Sequence, residues 1–181
     1  MKLLLLLLAL PMICFGQNVN IPDANFKAYL VGNTDINTNG DSEIQVSEAS
    51  AFNGVINCGE LNISNLTGIE AFTALEYLYC YYNKLTSLDV SKNTALTYLS
   101  CGDNQLTSLD VSKKNALTYL SCEGNKLTSL DVSKNTALTH LSCGDNQLTS
   151  LDVSKNTALT SLDCDGNKFD CEALKRKYGL E

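Results

Sequence analysis

A block of 21 residues repeats almost letter for letter through most of this chain. Residues 96–116 read LTYLSCGDNQLTSLDVSKKNA, and the unit's register is marked by Leu78, Leu99, Leu120, Leu141 and Leu162. Cys80, Cys101, Cys122, Cys143 and Cys164 follow two residues behind each of these leucines. A more diverged unit of 22 residues precedes them, with Ile56, Cys58, Ile63, Leu66, Ile69, Phe72 and Leu75 as its apolar positions. A unit this short cannot bury its own apolar face. The units must therefore stack on one another into a solenoid whose core runs along its length.

Each unit is itself a nested pair. LTYLSCGDNQ (96–105) aligns with LTSLDVSKK (106–114), and each half reads L-x-x-L-x-(C or V)-x-x. In an extended chain, side chains two residues apart share a face, so the Leu and the Cys or Val both point inward. Ten or eleven residues per half leave no room for a helix of ordinary length. The pattern predicts a β-rich solenoid of about six coils, with short strands on two opposite faces. Asn83, Asn104, Asn125, Asn146 and Asn167 form one row, and Asn93, Asn135 and Asn156 a second. A turning coil leaves backbone donors and acceptors inside, and a carboxamide serves both kinds. The second row breaks at Lys114, with Asn115 in place of the usual Thr, and a local irregularity is expected there.

Short helical caps are expected at both ends, because the terminal coils would otherwise expose their core. At the N-terminal end a helix fits residues 20–32, with Pro22 in its first turn, Phe26, Tyr29 and Leu30 on one face, and Gly32 as a stop. A second short helix fits residues 47–53, with Ser47 as its N-cap and Gly54 beyond it. At the other end, Glu172 stands where the next Leu would fall, so the repeat stops. Asp170 can cap a helix from Cys171 to Tyr178 that ends at Gly179. Ahead of all this, residues 1–16 carry Lys2 and a run of leucines too short to span a bilayer, the pattern of a secretory signal. Cleavage is placed after Gly16. The organisation is thus a leader at 1–16, an N-terminal cap at 17–55, a solenoid at 56–169 and a capping helix at 170–181. The expected destination is the outside of the cell, its surface or the periplasm.

The formal charge is −7, and −8 without Lys2, which argues against nucleic acid or anionic lipid as a partner. No second long apolar run is present, so no membrane insertion is expected. Six of the seven cysteines after the leader occupy one rung position and replace an inward Leu. A straight row at about 4.8 Å spacing does not converge as zinc requires, and parallel side chains disfavour disulfides between neighbours. A reduced packing ladder is favoured over disulfides or metal. Cys171 lies outside the row, with Cys164 as its nearest candidate partner.

The pattern L-x-x-L-x-(L or C)-x-x-N-x-L, repeated six times over residues 56–169, resembles that of bacterial leucine-rich repeat proteins of the 21-residue class. In the wider sense it resembles internalins, which the 22-residue unit at 56–77 matches more closely. The resemblance implies a secreted or surface binding protein, in some cases an adhesin.

Three features are candidate sites. Tyr77, Tyr98, Tyr119 and His140 stand in one outward column of the first half-coils, with Tyr79, Tyr81 and Tyr82 beside them and Asp103, Glu123, Asp145, Asp163 and Asp165 nearby. Tyrosine columns suit cross-strand stacking and also anchor binding surfaces. The opposite half shows only Asp89, Asp110, Asp131 and Asp152 against Lys92, Lys113, Lys134 and Lys155, a solvated face. The second candidate is Asn37, Asn39, Asp41, Glu43 (through its carbonyl), Gln45 and Glu48, at positions 1, 3, 5, 7, 9 and 12 of an EF-hand frame. Asn37 in place of Asp and Ser42 in place of Gly weaken that match, so a structural polar loop and a weak calcium site both stay open. The third is a pair of Thr columns, Thr86, Thr107, Thr128, Thr149 and Thr97, Thr118, Thr139, Thr160, which could meet an ordered surface such as ice. Catalysis has little support, since the one His has only Tyr119 and Ser161 as column neighbours. No catalytic cofactor is expected. The reading is a noncatalytic binding protein whose ligand is a protein or a glycan, met on the tyrosine face, with the oligomeric state open.

Overall fold

The computed structural model describes residues 16–180. The leader, up to residue 15, lies outside the described residues. Six parallel three-residue strands form one sheet in sequence order: β1 (Val55–Asn57), β2 (Tyr77–Tyr79), β3 (Tyr98–Ser100), β4 (Tyr119–Ser121), β5 (His140–Ser142) and β6 (Ser161–Asp163). The register is the repeat itself. Tyr77 pairs with Tyr98, Tyr98 with Tyr119, Tyr119 with His140 and His140 with Ser161. The central residue of each strand, from Ile56 to Leu162, faces the core.

The second half-coils differ from expectation. Leu88, Leu109, Leu130 and Leu151 and the valines two residues on are buried as the alternation requires, yet no second sheet forms among the described residues. The reason is local. The carboxylates of Asp89, Asp110, Asp131 and Asp152 each accept the backbone N–H of the serine two residues on, at 2.8–2.9 Å. Such a turn draws the chain away from ladder pairing. Each half-coil begins with one inter-coil backbone bond, for example Gln105 N to Leu85 O at 2.8 Å. It then curls through a turn such as Asn93 N to Val90 O at 2.9 Å.

Both asparagine rows bridge neighbouring coils. Asn104 Nδ2 donates to the carbonyls of Cys80, Cys101 and Gly102 at 3.0–3.1 Å, and its Oδ1 accepts Leu85 N–H at 2.9 Å. Asn83, Asn125, Asn146 and Asn167 do the same in their coils. In the second row, Asn135 Nδ2 donates to Val111 O and Lys114 O, both at 2.9 Å. Lys114 keeps the turn geometry of its row, with Lys114 N to Val111 O at 3.0 Å, so the irregularity expected there leaves the backbone turn intact. The irregularity is in the side chain, which is fully buried with Nζ unpartnered.

The N-terminal end is closed by α1 (Ala24–Val31) and α2 (Val46–Ala51). Asp23 caps α1 through Oδ1, while its Oδ2 accepts Ser64 N–H and Oγ–H at 2.8 and 2.9 Å, tying the cap to the first coil. Tyr29 Oη accepts Asn57 N–H at 2.8 Å across the same junction. The second helix starts earlier than Ser47: Gln45 is its N-cap, and its N–H donates to Glu48 Oε2 at 3.0 Å. A glutamate at the third helical position reaches back to the cap N–H, which Ser47 as cap would not offer. At the C-terminal end α3 (Cys171–Tyr178) is capped by Asp170, which accepts Ala173 N–H at 2.8 Å, and ends at Gly179 with φ 66°. A disulfide joins Cys164 to Cys171, whose Cα atoms are 5.5 Å apart.

Candidate functional site

Every first half-coil places two side chains outward on either side of its buried Leu, so the sheet carries two outward columns. Tyr77, Tyr98, Tyr119, His140 and Ser161 make one, and Tyr79, Ser100, Ser121, Ser142 and Asp163 the other. The rings close into a row. Tyr98 and Tyr119 stack with centroids 4.1 Å apart and planes 3° from parallel. Tyr79 leans across from the second column to 4.7 Å from Tyr98, with Tyr77 at 6.3 Å, and His140 continues the row 6.0 Å beyond Tyr119. Burial within the row, reinforced by Tyr119 and Tyr79, holds the Tyr98 phenol well above its usual pKa.

Tyr81 and Tyr82 do not join this stack. They form an edge-on pair, centroids 6.0 Å apart, at the turn after β2. Tyr81 covers Gly59 of the preceding coil, where a Cβ would meet ring carbons at 2.8 Å. Tyr82 has φ 49° and is exposed, and the Asp103 carboxylate beside it raises its phenol pKa. The single aromatic patch expected from sequence is thus a stacked row with a separate pair at its N-terminal edge.

The cysteine row is buried throughout: Cys58, Cys80, Cys101, Cys122 and Cys143 are free thiols. Burial pushes the Cys58, Cys101 and Cys143 thiols up to about 12, and those of Cys80 and Cys122 well above their usual value. Such thiols pack as small apolar groups and do not act as nucleophiles. Their hydrogens find the ladder too, as Cys58 Sγ donates to Tyr79 O at 3.4 Å.

The polar loop before α2 draws most of its frame together. Asn39 Nδ2 donates to Asp41 Oδ2 at 3.0 Å and to Gln45 Oε1 at 2.9 Å, and Gln45 Nε2 donates to Asp41 Oδ2 at 3.0 Å. Glu48, the last position, is turned onto backbone: Oε1 accepts Thr38 and Asn39 N–H at 2.8 and 3.2 Å, and Oε2 accepts Gln45 N–H. These bonds hold its carboxyl below the usual value against the opposing effect of burial. Glu43 pairs with Lys27 at 2.6 Å. Asn37 is buried, donates to Val31 O and Asp41 O, and leaves Oδ1 without a partner. Among the described residues no three His, Cys, Asp or Glu side chains gather as a metal-holding group.

The two Thr columns separate. Thr97, Thr118, Thr139 and Thr160 each donate Oγ–H to the carbonyl 21 residues earlier, at 3.0–3.3 Å. Thr86, Thr107, Thr128 and Thr149 are exposed. His140 Nδ1 lies 2.9 Å from Thr139 Oγ1. Open hollows of about 620 and 610 Å³ lie at the two caps, away from the aromatic row.

The sequence matches no protein-family model and no curated protein. Among solved structures it is similar to a functional domain of InlJ from Listeria monocytogenes that includes a cysteine ladder. The two are 33% identical with a TM-score of 0.51, over 86% of this chain and 45% of that one. It is also similar to the internalin InlF of the same species, 22% identical with a TM-score of 0.73, over 93% and 52%. A leucine-rich repeat protein of Leptospira interrogans is 25% identical with a TM-score of 0.53, over 69% and 40%. The chain spans about half the length of these structures. Its fold is that of a leucine-rich repeat protein, and its structural neighbours are internalins and other proteins of that architecture. No described helix is long and apolar enough to cross a membrane.

Proposed function

We propose that this chain is an exported, noncatalytic binding protein that recognises a protein or glycan with the outward face of its sheet. The stacked row of Tyr79, Tyr98, Tyr119 and His140 carries this reading. Rings fixed by their neighbours present large contact area at little further entropic cost on binding. The opposite half carries repeated Asp, Lys, Thr and Ser side chains and no aromatic ring in its repeated columns. Arrays of extracellular proteins and of glycans, probed with the exported chain, would supply a ligand for titration. Tyr98→Ala and Tyr119→Ala should each weaken it by about 2 kcal/mol, roughly 30-fold, while Lys113→Ala and Lys134→Ala change it by less than about 1 kcal/mol. Loss confined to the lysine variants would place recognition on the other face.

A second reading concerns the polar loop. The buried, unpartnered Asn37 Oδ1 stands at the first position of the calcium frame, and Asn39, Asp41 and Gln45 already converge. Glu48 would have to exchange its backbone hydrogen bonds for the ion, which keeps affinity weak, on the order of 10⁻⁴–10⁻³ M. Asn37→Asp with Ser42→Gly should tighten it, and Glu48→Ala should abolish it. Calorimetry without calcium heat in both the parent and the double variant would rule the loop out as a site.

A further inference from the structure

We infer that the partner of the aromatic face is a basic protein segment, a run of chain bearing Arg or Lys; this rests on the sheet-face reading above. The sheet and the turn that follows it comprise residues 76–82, 97–103, 118–124, 139–145 and 160–166. They hold six carboxylates (Glu76, Asp103, Glu123, Asp145, Asp163 and Asp165) and not one Lys or Arg. Among the described residues only Asp165 of these is ion-paired, to Lys175 at 3.4 Å at the far end. The second half-coil columns balance four Asp with four Lys. The strand-and-turn segments themselves carry only negative charge, and exposed Lys84, Lys126 and Lys168 stand two residues beyond three of them.

The acids are arranged, not merely abundant. Stacked one above another at strand spacing they would repel. Instead they alternate between two backbone positions, with glycine filling the position left over: Gly102-Asp103, Glu123-Gly124, Gly144-Asp145, Asp165-Gly166. Asp103 and Asp145 sit at φ 50° and 47°, in left-handed backbone that favours glycine. The glycines also lie against the acidic side chains of neighbouring coils. A Cβ on Gly124 would meet Asp103 Oδ1 at 2.6 Å, and one on Gly102 would meet the Glu123 side chain at 3.1 Å. The sequence thus repeats every two coils along this turn, and the result is a staggered carboxylate row running beside the ring stack.

Charge and ring geometry select the same partner. Sulfated or sialylated glycans meet like charge. Tyr98 and Tyr119 cover each other's facing surfaces at 4.1 Å, which leaves no gap between them for a flat sugar to stack. A protein segment with cationic side chains finds complementary charge along the whole row, together with apolar ring surface for its stems.

The test uses the exported chain and two synthetic peptides, (Arg-Ser)₆ and (Glu-Ser)₆, followed by backbone amide NMR shifts. The first peptide should perturb β3–β5 and the turns after them, and weaken at least tenfold in the triple variant Asp103→Asn, Glu123→Gln, Asp145→Asn. Asp110→Asn with Asp131→Asn, in the second half-coils, should leave its affinity unchanged, and (Glu-Ser)₆ should not bind. Absence of (Arg-Ser)₆ binding, or shifts on the Asp columns of the second half-coils, would overturn the inference. The two readings fail separately. A neutral ligand that shifts Tyr98 and Tyr119 while (Arg-Ser)₆ does not would remove the basic partner and leave the sheet-face reading standing. A ligand from the arrays that maps elsewhere would remove the sheet-face reading as well.

Discussion

Raising the pH should unfold this protein in one cooperative step between about pH 10 and 11, with five cysteine thiolates appearing together. The cause is the buried ladder. An unfolded thiol ionises near 9.0, whereas burial lifts the Cys58, Cys101 and Cys143 thiols to about 12 and those of Cys80 and Cys122 well above 9.0. Because the folded pKa is the higher one, the stabilisation is complete below the unfolded value and is lost as the pH climbs toward the folded one. Near pH 10.5 each thiol lowers stability by about 2 kcal/mol, on the order of 10 kcal/mol for the five, comparable to the whole stability of a typical domain. Circular dichroism and thiolate absorbance should share one midpoint. Below it, a thiol reagent should leave all five unlabelled, and each Cys→Val replacement should take one proton from the transition. Thiols that titrate near pH 9 with the fold intact would contradict the buried row. Cys122→Asp probes the same place at neutral pH, where an unpaired carboxylate in the ladder should cost several kcal/mol, on the order of 3–5.

Replacing Lys114 by Asn, together with Asn115 by Thr, should stabilise the protein by about 2–4 kcal/mol. Lys114 is fully buried and its Nζ has no hydrogen-bond partner. Its row neighbours show what the position is built to do. Asn93 donates to Ile69 O and Phe72 O, and Asn156 to Val132 O and Asn135 O, all at 2.8–2.9 Å. An asparagine at 114 would do the same for Val90 O and Asn93 O, since the turn around Lys114 already has the common geometry. The exchange removes a desolvated amine and adds two inter-coil bonds, and it leaves the new Oδ1 unpartnered, as at Asn93, Asn135 and Asn156. Burial lowers the Lys114 pKa from 10.5, with Asp110 and Asp89 opposing. With the folded pKa the lower one, the parent's penalty is full at neutral pH and fades as the pH rises toward the unfolded value, so the variant's advantage should shrink over that range. In thermal denaturation at neutral pH the gain should appear as a rise in Tm of about 4–12 °C. A Tm that is unchanged or lower would mean that the amine is better accommodated than its surroundings indicate.

The period alone was enough for the solenoid, for the register of its six strands and for the inward row of cysteines, because two-residue alternation in a 21-residue unit leaves each Leu and Cys one place to go. The capping helix at Cys171–Tyr178 was equally legible, since Asp170 and Gly179 act on their own neighbours. What the tertiary structure decided involves contacts between coils or competition with them. The aspartates of the second half turn onto local serine N–H groups, so buried alternation there yields no second sheet. Cys164 pairs with Cys171 only because the last helix folds back to bring their Cα atoms to 5.5 Å. Tyr79 reaches Tyr98 across columns that the sequence keeps apart, while Tyr81 and Tyr82 leave the row. The alternation of Gly102-Asp103 with Glu123-Gly124 stands in the letters. Its meaning required the left-handed backbone at Asp103 and Asp145 and the close approach of those two carboxylates to Gly124 and Gly166 of the next coils, which are properties of stacked coils and of no single one.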